Sequence, residues 1–198
     1  MGVVAERAMP FFFQKSPDAV VAQHRSGDSV AIRHPSATRD LQHEVELVVA
    51  LGEGGQNIAP EEAVRHVFGY AIGLDMTRRD LQTVLKERHW PWEMAKNFDD
   101  SAPIGVLHPI VETGELLQGR LSLTVNDVAR QSGDLAQMIW SVNEMIAELS
   151  RLVKLAAGDL LFTGTPAGVG RVVAGDRIRA AIEPLGHLNV IIQQKNGF

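Results

Sequence analysis

Three carboxylates are the first residues of this chain that could do chemistry together: Glu44 and Glu46 in the run HEVELVVALG, and Asp75 in GYAIGLDMTRRDLQ. The first run alternates, so Glu44, Glu46 and Val48 turn to one face and Val45, Leu47 and Val49 to the other. A strand that buries its apolar face while turning two acids to one side puts charge where an unpaired carboxylate is costly. A cation belongs between them. Two oxygens from one strand and a third from another element make the ligand set of a hard divalent ion, with water or substrate in the remaining positions. The competing reading is a solvated face, or acids paired with Arg78 and Arg79. His43 adjoins the pair but falls on the opposite face by alternation, so it is given no ligand role.

Other candidates lie in irregular stretches. KERHWPWEMAKNFDDSAPIG is interrupted by Pro91 and Pro103, and its apolar residues follow neither the helical nor the strand period. Long loops of this make-up are often binding loops, which makes Trp90, Trp92 and Lys96 candidates, although both tryptophans equally suit a wall or a subunit contact. TGTPAGVG, Thr163 to Gly170, lacks the lysine and hydroxyl residue of a phosphate loop and precedes no helix, which excludes a nucleotide site. Its glycines still allow backbone N–H groups and the Thr165 hydroxyl to approach an anion closely. Lys15 reads either as a snorkelling surface residue or as a site residue.

The elements that must position these residues point to a β-rich α+β chain. Phe11 to Phe13, after Pro10, suit a buried strand, and SVAIR a half-buried one. Pro60, two glutamates, and Ala63, Val64, Val67 and Phe68 describe a short amphipathic helix ended by Gly69; YAIGLD is then a buried strand that delivers Asp75 at its end. RLSLTVNDVARQ is a hairpin turning at Asn126-Asp127. The clearest helix starts at a capping box of Ser141 and Glu144 and carries a stripe of Met145, Ile146, Leu149, Leu152 and Val153, and Met138 to Val153 reads as core packing, not a cofactor box. The final third alternates short strands with Gly and Pro turns. His89, His108 and His187 fall in loops or turns and are expected to be exposed.

Composition bounds the function. The 198 residues suit one domain, 1–198, with a substantial core. Without cysteine there is no thiol nucleophile, disulfide framework or zinc-thiolate site, and a reducing compartment is compatible. A net charge of −5, with both signs interspersed, offers no basic stripe for nucleic acid. The apolar runs fall short of the ~18 residues that span a bilayer. A soluble, cytoplasmic protein acting on a small molecule, with no nucleic-acid or membrane partner, is expected.

Taken together, these stretches resemble the fumarylacetoacetate hydrolase family over almost the whole chain. The family's paired glutamates correspond to Glu44 and Glu46, its third metal ligand to Asp75, its active-site arginine and glutamine to Arg79 and Gln82, its catalytic lysine to Lys96, and its substrate-binding threonine to Thr165 in TGTPAGVG. PFFFQKSPDAV looks closest to the single-domain acylpyruvate hydrolases, in particular those that cleave fumarylpyruvate. The resemblance implies a mixed β-roll, a homodimer, Mg2+ or Mn2+ as cofactor, and carbon–carbon hydrolysis of a 2,4-diketo acid. Oxaloacetate decarboxylation or tautomerisation and 2-hydroxyhepta-2,4-diene-1,7-dioate isomerisation are the alternatives within the family. Relatives carry a histidine–glutamate lid pair just before the Met-Gly that Met1-Gly2 matches, so no counterpart is expected in this sequence. That expectation adds a further alternative, a metal and oxo-acid binding protein with little turnover.

Overall fold

The computed structural model describes residues 7–194, so the Met1-Gly2 correspondence lies outside the described residues. The first half lays down the strands that carry the acids: β1 (Val20–Ala22), β2 (Ser29–Arg33), β3 (Leu41–His43) and β4 (Val45–Leu51), with Glu44 at the β3–β4 junction. SVAIR alternates as expected, with Val30 and Ile32 turned inward. β4 is buried along its whole length, the mark of a strand covered on both faces at the centre of a sheet. There follow β5 (Val67–Leu74), β6 (Thr77–Arg78), α1 (Arg79–Glu87), β7 (Ala102–Ile104), β8 (His108–Pro109) and α2 (Ile110–Thr113). The second half contains the hairpin β9 (Arg120–Val125) and β10 (Val128–Asp134), then α3 (Val142–Leu152) and the strands β11 (Leu160–Phe162), β12 (Gly170–Val172), β13 (Arg177–Ile182) and β14 (Gly186–Gln193).

These strands make three sheets. The first runs β1-β7-β5-β4-β11 with β8 also on β5, the second β10-β9-β13-β14-β2, and the third β12-β3-β6. Side chains of the first two meet in one apolar cluster that includes Leu47, Ile72, Leu123, Ile178 and Leu188. The hairpin turns at Asn126 and Asp127, both with positive φ, as a two-residue turn between twisted strands requires.

Three expectations are corrected. The helix from Pro60 is only a single 3-10 turn, Ala63–His66, and Val67, Phe68 and Gly69 belong to β5. Helix-start signals act locally, whereas β5 is held by its long antiparallel register with β4, and that pairing wins. Gly69 is therefore a site of close approach within the strand: a Cβ there would lie 2.2 Å from the His108 carbonyl oxygen. Gly69→Ala is expected to lower stability by about 1–3 kcal/mol, read as a drop in Tm; an unchanged Tm would contradict this strand packing.

The second correction is Phe11 to Phe13, which form an extended segment and no strand. Phe11 is 71% exposed and only Phe12 packs on the core; Phe11 and Phe13 instead lean on Trp92, with ring centroids 5.8 and 5.1 Å away. The third concerns α3. Ser141 and Glu144 form the expected capping box, and Met145 and Ile146 are buried, but Leu152 and Val153 are exposed, so the buried stripe stops at Leu149.

The α3 cap has a second partner. Arg7 donates two hydrogen bonds of 3.0 Å to Glu144 and lies over the Trp140 ring. Arg7, with the Ser141 backbone and hydroxyl, pulls the Glu144 carboxyl down to about 2 from a usual 4.5. A depressed carboxyl stabilises the fold fully above its unfolded pKa and loses that contribution as pH falls toward the folded one. Glu144→Gln should therefore flatten the fall in Tm between about pH 4.5 and 2. An acid profile identical to wild type would contradict the Arg7–Glu144 anchor.

Candidate active site

The backbone brings two of the three acids together. The Asp75 N–H donates to the Glu44 carbonyl at 2.9 Å, just beyond the last β4–β5 pair, Val45 opposite Leu74. Glu46 sits two residues along, on the same face as Glu44, opposite Gly73. A Cβ on Gly73 would lie 2.5 Å from Val48 and 2.6 Å from Phe162, so the bare glycine leaves room for the side chains that flank Glu46. One oxygen from each of Glu44, Glu46 and Asp75 lies within 4.8 Å of the others, and all three residues are buried.

Cationic side chains surround this cluster. Lys96, 3% exposed, donates to Glu44 Oε2 at 2.8 Å and to Asp75 Oδ2. It is delivered by the short 3-10 turn Glu93–Ala95 in the loop that the prolines interrupt. Arg79, the first residue of α1, pairs with Glu44 Oε1, donates to Gln42 Oε1 at 2.9 Å and reaches Gln82 Oε1. Lys15 is also brought in: its Nζ lies 2.8 Å from Asp75 Oδ1 and donates to Ser101 Oγ at 3.1 Å and to the backbone carbonyl of Met76. Sequence alone left Lys15 ambiguous because an extended segment beside aromatics carries no burial signal. Its burial becomes visible only once the Phe11–Lys15 stretch crosses the end of β5.

The electrostatics separate the three acids. Burial works to raise the Glu44 carboxyl, but Lys96 and Arg79 overcome it and hold Glu44 below the usual range. Glu46 is governed first by burial and then by the charge of Asp75, with a further push from Glu44; the Gly164 N–H at 2.6 Å and the Lys96 charge oppose them, and the carboxyl is pushed up to about 8. Burial also pulls Lys15 down against the attraction of Asp75. Asp75 Oδ1 lies near Lys15 yet outside hydrogen-bonding geometry, a buried oxygen without a donor. A carboxyl held protonated by its neighbours and an orphaned carboxylate oxygen beside it are incompletely compensated by the lysines. An all-oxygen donor set of this size fits a hard divalent cation such as Mg2+ or Mn2+.

The glycine-threonine loop closes the cluster from the β11 side. Thr163 Oγ1 donates to the Leu47 carbonyl at 3.0 Å, and Thr165 Oγ1 donates to the Val45 carbonyl at 2.8 Å. Gln131, which the sequence did not single out, ties this loop to the acid strand. Its Nε2 donates to Thr165 Oγ1 and to the Pro166 carbonyl, while its Oε1 accepts from the Val45 N–H. The same oxygen faces His43 Nδ1 at 2.9 Å, which places the imidazole proton on Nδ1, and burial keeps the ring neutral. Through this contact with Gln131, His43 supports the loop. Gln131 had no signal to find it by: it is buried on a strand whose other residues are exposed or half-buried, beside a register shift.

The three acids, Lys15, Arg79, Gln82, Lys96 and the loop at Thr163–Thr165 open into one cleft of roughly 1610 Å³, walled by Phe11, Phe13, Trp92 and Trp140. Trp90 is exposed and does not line it. His89 and His187 are exposed as expected, whereas His108 is half-buried, opposite Tyr70.

Comparison with known proteins gives the arrangement its context. Residues 2–193 match the model of the Fumarylacetoacetate (FAA) hydrolase C-terminal family. A fumarylpyruvate hydrolase from Ralstonia sp is 39% identical over 92% of this chain and 92% of its own. The mitochondrial oxaloacetate tautomerase FAHD1 of Rattus norvegicus is 42% identical over 75% of this chain and 67% of its own. The crystal structure of fumarylpyruvate hydrolase from Pseudomonas aeruginosa in complex with Mn2+ and pyruvate superposes with a TM-score of 0.93. It is 48% identical, with 96% of this chain and 81% of that one covered. The β-rich α+β fold expected from the sequence is the fold shared with that structure.

Proposed function

Because this chain belongs to the fumarylacetoacetate hydrolase family, we propose that it is a divalent-metal-dependent hydrolase that cleaves fumarylpyruvate into fumarate and pyruvate. The observation that carries this is the buried cluster of three carboxylates with Lys96, Lys15 and Arg79 around it. It stands in a chain matched almost end to end by fumarylpyruvate hydrolases.

The reaction breaks the bond between C3 and C4 of a 2,4-diketo acid: water adds at C4, the acid forms there, and the pyruvate half leaves as an enolate that is then protonated. A Mg2+ or Mn2+ ion held by Glu44, Glu46 and Asp75 would supply Lewis-acid stabilisation to that developing negative charge. Lys96 adds a fixed ammonium in a water-poor site, where such charge is most effective. Arg79 and Gln82, held to each other on α1, orient the oxo-acid end. Thr165, whose hydroxyl is engaged by Val45 and Gln131, fixes the loop that closes the binding site over Glu46.

The test is product analysis of purified protein with Mn2+ and fumarylpyruvate, following pyruvate and fumarate in parallel. Equal, metal-dependent yields of both are expected; absence of metal-dependent pyruvate release would overturn the reading. The similarity to oxaloacetate tautomerase favours a second reading, metal-dependent tautomerisation or decarboxylation of oxaloacetate. Oxaloacetate consumption faster than fumarylpyruvate cleavage would establish it. A homodimer belongs to the same proposal, supported by the exposed Leu152 and Val153 at the end of α3 and by Phe11 beside the cleft, as does a cytoplasmic location, with which the cysteine-free sequence is compatible. Sedimentation at the mass of a monomer would remove the dimer.

A further inference from the structure

Four cationic side chains line the cleft: Lys15, Arg79, Lys86 and Lys96. Three are committed to the acid cluster, Lys15 to Asp75, Arg79 to Glu44, and Lys96 to both. Lys86 has no carboxylate partner among the described residues, and lies instead with its ammonium 5.0 Å from the centre of the Trp92 ring. We propose that Lys86 binds the second, distal carboxylate of the substrate; this rests on the acylpyruvate reading above and names the residue that selects a dicarboxylic substrate.

The argument is one of spacing along α1. Arg79, Gln82 and Lys86 follow one another at three and four residues, so they share one helix face, and all three line the cleft. Seven residues of helix advance about 10 Å. A long helical side chain leans back toward the N-terminus, which brings the ammonium toward the Gln82 turn. In fumarylpyruvate the two carboxylates end a seven-carbon chain and lie about 7 Å apart when it is extended, from ordinary C–C bond lengths. With the oxo-acid end at Arg79 and Gln82, the distal carboxylate arrives at Lys86.

The surroundings suit the rest of the acyl arm. A side pocket of roughly 640 Å³ adjoins the main cleft and shares Phe11, Phe13, Lys86 and Trp92 with it. Its aromatic walls accept a flat unsaturated chain, and the Trp92 face steadies the ammonium without neutralising it. Glu93 is the acid lining that pocket, and it forms no ion pair with Lys86. The lysine charge is left for a ligand.

The experiment compares fumarylpyruvate with acetylpyruvate, the same 2,4-diketo acid without a distal carboxylate, in Mn2+-loaded wild type, Lys86→Met and Lys86→Arg. Lys86→Met is expected to raise KM for fumarylpyruvate about tenfold or more, the loss of one charged hydrogen bond, while acetylpyruvate kinetics stay within about twofold. Lys86→Arg should retain most of the preference. Equal losses on both substrates, or no loss on either, overturn the assignment of Lys86 alone. Wild type that cleaves neither diketo acid overturns the acylpyruvate reading and this inference with it.

Discussion

Glu46→Ala is expected to abolish metal-dependent turnover, with a loss of about 10³-fold or more, while leaving the fold intact. Lewis-acid stabilisation of an enolate is worth several kcal/mol, and each 1.36 kcal/mol is tenfold in rate. Removing one of three oxygen donors forfeits most of that. The stability effect runs in the opposite direction. Glu46 is buried beside Asp75 and Glu44, and its carboxyl is pushed up to about 8. A raised carboxyl pKa means that the metal-free folded state resists losing a proton that the unfolded chain releases from about pH 4.5 upward. Metal-free wild type should therefore lose stability as pH rises from about 4.5 to 8, and Glu46→Ala should remove that part of the slope. A bound ion reverses the sign for wild type: at a concentration a hundredfold above Kd it adds about 2.7 kcal/mol. Differential scanning calorimetry with and without Mn2+ reads both effects. A Glu46→Ala protein that still gains the wild-type Tm increment from Mn2+ would sink the three-carboxylate site.

Lys96→Met is expected to produce the largest loss of metal-free stability of any single change at the site. Lys96 bridges Glu44 and Asp75, both buried, and removing one partner of a buried ion pair costs about 3–5 kcal/mol because the other charge is left uncompensated. A divalent ion supplies the missing charge, so Mn2+ should restore more Tm to Lys96→Met than it adds to wild type. Turnover should not recover with it. In saturating Mn2+, kcat is expected to remain down by about 10²–10³, the range for losing one preorganised stabilising group. Parallel loss of metal affinity and turnover, with full recovery of kcat at high Mn2+, would make the lysine a structural counter-charge only.

The legible and illegible parts of this site differ in where their information lies. Glu44, Glu46 and Asp75 were readable because strand alternation is local, and because a strand end is a natural place to present a side chain. The α3 cap and the Asn126-Asp127 turn were readable for the same reason: their signals fit within a few residues. α1 left only a faint trace. Its apolar residues Leu81, Val84 and Leu85 do repeat at helical spacing, but they fill barely two turns in a charged stretch, and its one buried residue is Gln82, so the face that matters is polar. Gly69 misled because a glycine after a helix-like run reads as a terminator, when here it lets the β8 backbone approach. Lys15 and Gln131 acquire their roles only through partners more than thirty residues away, Asp75 and Thr165 among them. Arg79, Gln82, Lys96 and Thr165 entered as site residues through resemblance, and the structure places all four around the acid cluster or the loop that closes it.

The single backbone bond from the Asp75 N–H to the Glu44 carbonyl has a consequence for how this protein breathes and how it diversifies. That bond extends the β4–β5 ladder at the centre of a sheet covered on both faces. The amide protons of β4 and β5 are expected to be among the slowest of the chain to exchange with solvent, so the spacing between Glu44 and Asp75 should survive the small excursions that loosen surface loops. The residues proposed to meet the acyl arm sit elsewhere, on the polar face of α1 and on the aromatic wall of Phe11, Phe13 and Trp92. Substitutions in those outer parts can redirect the enzyme to a new acyl arm while the frame that holds the ion keeps its dimensions.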